Sequence, residues 1–323
     1  MNTKNMMTMA CAVALCGSVS AFAKAAEDRL ANETVNAEAA AGWNWAMGEG
    51  VAFEETPIVS AETSLAFDSK FLSYGLVDNN DPILTPAAAL TFCDWITFGV
   101  ESIFDISHYG KDAGYGDRAW RYQEIDPGVA LSHAFGSEDA EWLPTKVVFE
   151  LGYVYEYHPK AVDDDTQFFR FAIGLPDLWI EPVFAYELDL DRDHGTYLNL
   201  ELGHAFTLIG PREAGGDDVL DFRLSIAQGW GDRKRISAYL PDVHRIDEHG
   251  EFGDLEHAGL MDACIKGEFI WTMAEGVSLG AYVAYADYLF DATAREASRH
   301  YEATGSWNKS WNFVAGVSVA VAF

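Results

Sequence analysis

The sequence predicts an all-β chain, folded as an antiparallel transmembrane β-barrel of about twelve strands behind a signal peptide and a short N-terminal tail. Three observations carry this expectation: an export signal at the start, a two-faced strand ending on an aromatic at the finish, and period-two segments of spanning length between them.

The export signal comes first. Lys4 precedes an apolar, small-residue run from Met6 to Ala21, and Ala21-Phe22-Ala23 forms a small-x-small cleavage motif. Residues 1–23 are therefore read as a signal peptide, although Ala23-Lys24-Ala25 offers a second cut at 25. Cys11 and Cys16 raise the alternative of lipidation, but Leu15 is bulky before Cys16 and almost no apolar run precedes Cys11. The last strand reads from Trp311 through Phe313, Val317, Val319 and Val321 to Phe323, with small or polar residues between. Alternation of this kind gives a strand two different faces.

Composition allows a barrel and excludes other classes. A mean hydropathy of −0.05 is too polar for a helical membrane protein, and outside the signal no run approaches the roughly 20 apolar residues a spanning helix needs. A barrel hides its apolar surface in every second residue, so near-zero hydropathy is compatible with it. The formal charge of −30 argues against nucleic acid as a partner. Cys93 and Cys264 would remain after cleavage, on strands that should not be neighbours, and no cysteine or histidine spacing suggests zinc.

Residues 24–59 lack strand alternation and are read as a periplasmic tail, with Trp43 and Trp45 as its large anchors; residues 60–323 are read as the barrel. Within it the expected strands are Glu62–Gly75, Ile83–Phe92, Ile96–Ser107, Trp120–Phe135, Thr145–Tyr157, Thr166–Leu175, Leu178–Leu190, Gly195–Leu208, Val219–Trp230, Gly259–Trp271, Val277–Phe290 and Lys309–Phe323. An even number returns the C-terminus to the side where the first strand began. Tight connections are expected at Cys93-Asp94-Trp95, Pro176-Asp177 and Thr272–Gly276, and long ones at 108–119, 231–258 and 291–308, the asymmetry of periplasmic turns and external loops. Trp95, Trp120, Trp142, Trp179, Trp230, Trp271, Trp307 and Trp311 collect at segment ends, where aromatic girdles meet the two interfaces.

The opening segments, Glu62 to Leu76 and Asp81 to Phe92, carry Asp68, Lys70, Tyr74, Gly75 and Pro82 or Pro86 in an outline that resembles the first hairpin of the TorF-type porin family. The detailed likeness covers about a tenth of the chain. It implies a bacterial outer-membrane pore of unspecified cargo, and the C-terminal strand ending on Phe323 resembles the signal that the barrel assembly machinery reads in such proteins.

Assigning the bulky apolar parity of each strand to lipid places the other parity inside. The inward acids are then Asp68, Glu101, Asp105, Glu124, Asp126, Glu150, Glu156, Glu181, Glu187, Asp189, Glu201, Asp221, Asp262 and Glu268, against the bases Lys70, Lys146, Arg170, Arg223 and Lys266. Met261 and Ala263 fall on the lipid parity of their strand. Such a surplus of carboxylates implies a negative potential that concentrates cations, so the expected function is passive diffusion of small solutes through a cation-preferring channel. The competing reading is a structural or ligand-binding barrel in which the charges pair across a filled interior. Twelve strands fall between filled eight-stranded barrels and open porins of sixteen.

An outer-membrane lipid hydrolase is the enzyme alternative. It needs a nucleophile and base within hydrogen-bond reach, yet Ser132 and His133 point to opposite faces and His204 has no serine near it on its own, so no catalytic residue is assigned. The loop 231–258 contains Asp242, His244, Asp247, Glu248, His249, Glu251, Asp254, Glu256 and His257 beside Arg233, Lys234 and Arg235. Its spacing matches no known ligand set and it reads as a solvated loop, although its length makes an inward fold worth testing. No cofactor or metal is expected; the expected partners are outer-membrane lipids, the assembly machinery and small solutes, and no signal specifies an oligomeric state.

The mature chain should partition to the outer membrane and run as a heat-modifiable band, since closed strands leave no edge from which to unfold. Replacing Phe323 with a charged residue should lower the amount of assembled barrel in membrane fractions; an unchanged level would contradict this reading of the last strand.

Overall fold

A computed structural model of the chain describes residues 59–73, 76–79, 81–93, 95–106, 121–136, 145–159, 165–211, 219–239, 245–246, 252–253, 258–274, 276–287 and 311–323. The signal peptide, nearly all of the tail, and the acidic and histidine residues of the 231–258 loop named above lie outside the described residues.

Among the described residues twelve strands close a barrel. They are β1 (Val59–Asp68), β2 (Ile83–Phe92), β3 (Ile96–Asp105), β4 (Arg121–Phe135), β5 (Val147–Glu156), β6 (Thr166–Gly174), β7 (Val183–Asp189), β8 (Thr196–Ile209), β9 (Leu220–Gly231), β10 (Gly259–Ala274), β11 (Val277–Asp287) and β12 (Trp311–Ala322). Each pairs antiparallel with its sequence neighbours, and β1 pairs with β12 from Glu62 opposite Ala322 to Asp68 opposite Gly316. The ladder continues through the last residue: Ala61 N–H donates to Phe323 O at 3.2 Å and Phe323 N–H donates to Ala61 O at 2.8 Å. Closure leaves no edge strand, which is what a sheet in lipid requires.

The pleat sorts the side chains. On β12, Trp311, Phe313 and Val317 are 43%, 58% and 54% exposed, whereas Asn312 and Val314 between them are each 3% exposed. The same alternation on the other strands gives the barrel an apolar outer face that includes Leu65, Phe67, Phe98, Leu131, Leu224 and Phe269. Trp95, Trp179 and Trp271 stand near one rim, and Tyr157, Trp230 and Trp311 near the other. A closed antiparallel barrel with an apolar belt between aromatic rims is an outer-membrane architecture, and this protein is an outer-membrane barrel. No helix among the described residues is long and apolar enough to cross a membrane.

Several boundaries differ from the sequence expectation, each for a local reason. β1 starts at Val59, inside the segment assigned to the tail, because Val59 pairs with Phe92. It stops at Asp68, and the rest of the expected first strand turns into a separate hairpin of Phe71–Ser73 with Leu76–Asn79. β7 begins at Val183 rather than Leu178. Leu178 and Glu181 donate their N–H groups to Leu175 and Leu178 carbonyls, so the chain coils through a turn with Glu181 at φ 37° before extending. The tight connection placed at Thr272–Gly276 is shorter still, since β10 runs to Ala274 and Gly276 supplies the positive φ of 68°.

Met261 and Ala263 do not meet lipid as their parity implied. Trp230 pairs with Leu260 and Gln228 with Ala263, so Met261 and Asp262 together face the single residue Gly229. This β-bulge turns Met261 inward and leaves it 1% exposed. Ala263, beyond the bulge, is 2% exposed.

Glycine has a defined packing role on the inner wall at Gly316, which stands opposite both Asp68 of β1 and Tyr282 of β11. A β-carbon there would collide with Asp68 Oδ1 and the Tyr282 ring. Gly316→Val should therefore lower the temperature of the heat-modifiable transition, a destabilisation of about 1–3 kcal/mol. Ala315→Val, directed at lipid, should leave it unchanged; equal effects would contradict the packing of Tyr282 across Gly316.

Candidate functional site

The inner wall carries the charged residues singled out from sequence. Glu101 and Asp105 lie on β3, Glu124 and Asp126 on β4, Glu150 and Glu156 on β5 just after Lys146, and Arg170 on β6. Glu187 and Asp189 lie on β7 with Glu181 in the turn before it, Glu201 on β8, Asp221 and Arg223 on β9, and Asp262, Lys266 and Glu268 on β10. All alternate with the exposed apolar residues of their strands or flank them. Asp68, Lys70, Lys146, Glu150, Glu156 and Asp221 are partly exposed, while the remainder of the wall is largely buried, with Asp126 at 0% and Glu201 and Arg223 each at 2%. The interior at these levels is packed with charge.

Three of these charges are reached by a long side chain that spans a glycine on the intervening strand. Tyr282 of β11 crosses Gly316 of β12, and its hydroxyl donates to Asp68 Oδ1 on β1 at 2.6 Å. Tyr197 of β8 crosses Gly229 of β9 and donates to Asp262 Oδ1 on β10 at 2.8 Å. Arg223 of β9 lies over Gly203 of β8. Its guanidinium donates to Glu181 Oε2 at 2.8 Å and to Glu201 Oε1 at 3.3 Å. Lys266 sits 3.0 Å from Glu268 Oε2, with its Nζ 4.6 Å from the centre of the Tyr282 ring. These contacts supply the partners that buried charge needs.

At one end of the interior, the start of the 231–258 loop packs against the inner wall. A short helix, α1 (Arg233–Tyr239), begins at Asp232, whose Oδ1 accepts the Arg235 N–H at 2.9 Å and whose Oδ2 accepts the Thr196 hydroxyl at 3.1 Å. Arg235 is 0% exposed: its Nε lies 3.3 Å from Asp193, its Nη2 3.4 Å from Glu187, and its guanidinium carbon 5.2 Å from the centre of the Phe168 ring. Ile236 and Met261 close over Gly231 behind it. Burial pushes the carboxyl of Asp193, in the loop between β7 and β8, above the usual carboxylate range, against the pull of Arg235.

Asp189 organises that same loop. Its Oδ1 accepts the N–H groups of Asp191 and Arg192 at 2.8 Å each, and its Oδ2 accepts the Thr166 hydroxyl at 2.9 Å. Its charge is thereby committed to backbone and hydroxyl donors. Glu101, Asp126 and Glu156 instead form a cross-strand row of acids on β3, β4 and β5, with Glu124 two residues along and His158 Nε2 3.3 Å from Glu124 Oε2.

Sequence reasoning did not single out Tyr197, Tyr282, Asp193, His158 or the buried role of Arg235. For the tyrosines a signal existed: each falls on the small or polar parity of its strand, where a large polar-tipped ring must find an acceptor inside. For Arg235 there was none, because nothing local distinguishes it from Arg233 and Lys234. His133 and His204 lie on the outer parity at one rim, packed at a tilt against Trp95 and Trp179 with ring centroids at 4.4 and 5.0 Å. Cys93 and Cys264 are free thiols.

The sequence matches no family model and no curated protein. Among solved structures, the chain is similar to an outer-membrane channel from Pseudomonas putida F1, at 10% identity over 85% of this chain and 100% of that one, with a TM-score of 0.44. It is similar also to OccAB3 of Acinetobacter baumannii, at 8% identity over 84% and 66% of the two chains with a TM-score of 0.34. A third is OmpF of Salmonella typhi in complex with daunomycin, at 8% identity over 82% and 97% with a TM-score of 0.32. The strand pairing itself, rather than these distant likenesses, establishes the barrel.

Proposed function

We propose that this barrel is a narrow outer-membrane channel for small solutes, cation-preferring, with α1 and Arg235 as its constriction. The observation that carries the reading is the composition of the inner wall. Acids outnumber bases there, and three of the described bases, Arg223, Arg235 and Lys266, are already engaged by Glu181 and Glu201, by Glu187 and Asp193, and by Glu268. Fixed negative charge in a confined bore draws in cations and repels anions, and its reach is comparable to a Debye length of about 8 Å at physiological salt. The opening hairpin's resemblance to TorF-type porins agrees with this reading.

A second reading is favoured by one observation: Arg223, Arg235, Glu201 and Asp189 are each at most 2% exposed. An interior packed to that degree suits a barrel that holds shape or a ligand without passing current.

Planar-bilayer recordings separate the two. The channel reading expects discrete conductance steps and a cation-preferring reversal potential under a salt gradient. Arg235→Gln should raise both the conductance and the cation preference, because it removes a positive charge and a bulky group from the narrowest level. Neutralising Glu181, Glu187 and Asp189 together should reduce the preference more than neutralising any three acids of the 231–258 loop, and the difference should shrink in concentrated salt. No current from either wild type or Arg235→Gln would select the packed barrel.

A further inference from the structure

A long side chain that crosses a glycine to reach an acid recurs on the inner wall, and at Arg170 the arrangement is incomplete. Arg170 of β6 stands opposite Gly152 of β5, and Gly152 stands opposite Ala130 of β4. The corresponding row across β11, β12 and β1 reads Tyr282, Gly316 and Asp68. Ala130 offers no acceptor where Asp68 accepts. Nor does the guanidinium lie over Gly152, since the atoms nearest to a β-carbon there would be Val129 O, Arg170 Cβ and Ala130 Cβ, at 3.6, 3.8 and 3.9 Å. On its other side Arg170 faces Glu187 of β7, but Glu187 lies 3.4 Å from Arg235 Nη2. Arg170 is 6% exposed, and its Nη1 has no hydrogen-bond partner among the described residues. A second buried group two positions along is in the same state. Ala172 of β6 stands opposite Ala185 of β7, and Ala185 opposite Asn199 of β8. Asn199 is 5% exposed, and its Oδ1 has no hydrogen-bond partner among the described residues. Ala172 is only half-buried although it lies on the inner parity, so the surface over the two alanines is open to the interior.

A buried donor and a buried acceptor left without partners each carry a desolvation cost that a ligand with the complementary groups offsets. The planar fork of an arginine matches a carboxylate, and an amide oxygen accepts from an ammonium. The surplus of acids on the wall disfavours a net anion, but not a molecule whose carboxylate is balanced by its own ammonium. We propose that Arg170 and Asn199 bind a small zwitterion of the amino-acid class, with its carboxylate on Arg170, its ammonium on Asn199 Oδ1 and its body over Ala172 and Ala185. The two methyl groups form a shallow seat that suits a small solute. The inference rests on the small-solute reading above, because the ligand must enter the bore, but not on conduction.

The test is titration of the purified barrel in detergent at neutral pH with L-alanine, followed by saturation-transfer NMR on the alanine methyl group. Propionate, which lacks the ammonium, and alaninamide, which lacks the carboxylate, serve as matched probes. The expected result is saturable binding of alanine, with propionate and alaninamide each weaker by about tenfold or more, the loss of one charge-assisted contact. Arg170→Met should weaken alanine binding by about tenfold or more, while Arg192→Gln, in the exposed loop between β7 and β8, should leave it unchanged. If Arg170→Met fails to assemble, Ala172→Val, which fills the seat and keeps both polar groups, carries the same expectation. Absence of saturable alanine binding to wild type, or wild-type affinity in the substituted barrel, would overturn the proposal, and propionate binding as tightly as alanine would overturn the assignment to a zwitterion. A barrel that binds alanine but passes no current would sink the channel reading alone. Current without alanine binding would sink this inference alone.

Discussion

The pairing of β1 with β12 is the interaction on which the rest of the structure depends. In hydrocarbon no water satisfies a free N–H or C=O, so a sheet that stays open along one edge cannot reside there. The seam from Glu62–Ala322 to Asp68–Gly316, extended by the two hydrogen bonds between Ala61 and Phe323, removes that edge. Once the sheet is closed, each residue has only two directions available, lipid or interior. Side-chain polarity then follows from position: Phe313 and Val317 outward, Asn312 and Val314 inward.

Closure also creates the problem that the interior solves. Acids sent inward lose water and must find donors within the wall. The solution recurs around the barrel: Tyr282 over Gly316 to Asp68, Tyr197 over Gly229 to Asp262, and Arg223 over Gly203 to Glu181. Glycine on the middle strand lets a ring or guanidinium lie flat across it and reach a carboxylate beyond, tying strands that share no backbone hydrogen bonds. Where this device is missing, at Asp126, opposed carboxylates remain without donors on the central residue.

The two ends of the barrel differ in kind. At one rim few residues separate β2 from β3, between Phe92 and Ile96, and β10 from β11, between Ala274 and Val277, and the outer ring contacts of Trp95 with His133 and Trp179 with His204 lie there. At the other, the chain after β9 packs against the inner wall as α1. Arg235 anchors it there by engaging Glu187 on β7, Phe168 on β6 and Asp193 in the facing loop. An arginine can hold this position because its charged, planar head bonds carboxylates while its face stacks on an aromatic ring.

Much of this was determined by local sequence. Period two in segments such as Ile83–Phe92 and Trp311–Ala322 specified strands, their faces and their approximate ends, because pleating is a property of the backbone and needs no knowledge of neighbours. Local sequence did not reveal where the ladder slips a residue. The bulge opposite Gly229 turned Met261 from lipid to interior, and the coiled turn before Val183 shortened β7, since both depend on what the adjacent strand presents. Nor did it reveal which charges meet. Arg223 joins Glu181 across 42 positions of chain, and Tyr282 reaches Asp68 across 214. Sequence alone determined that acids would be plentiful and on which strands they sit; only closure and register decided which received a partner and which, like Asp126, were set among their own kind, because distance between side chains on different strands is a property of the closed sheet.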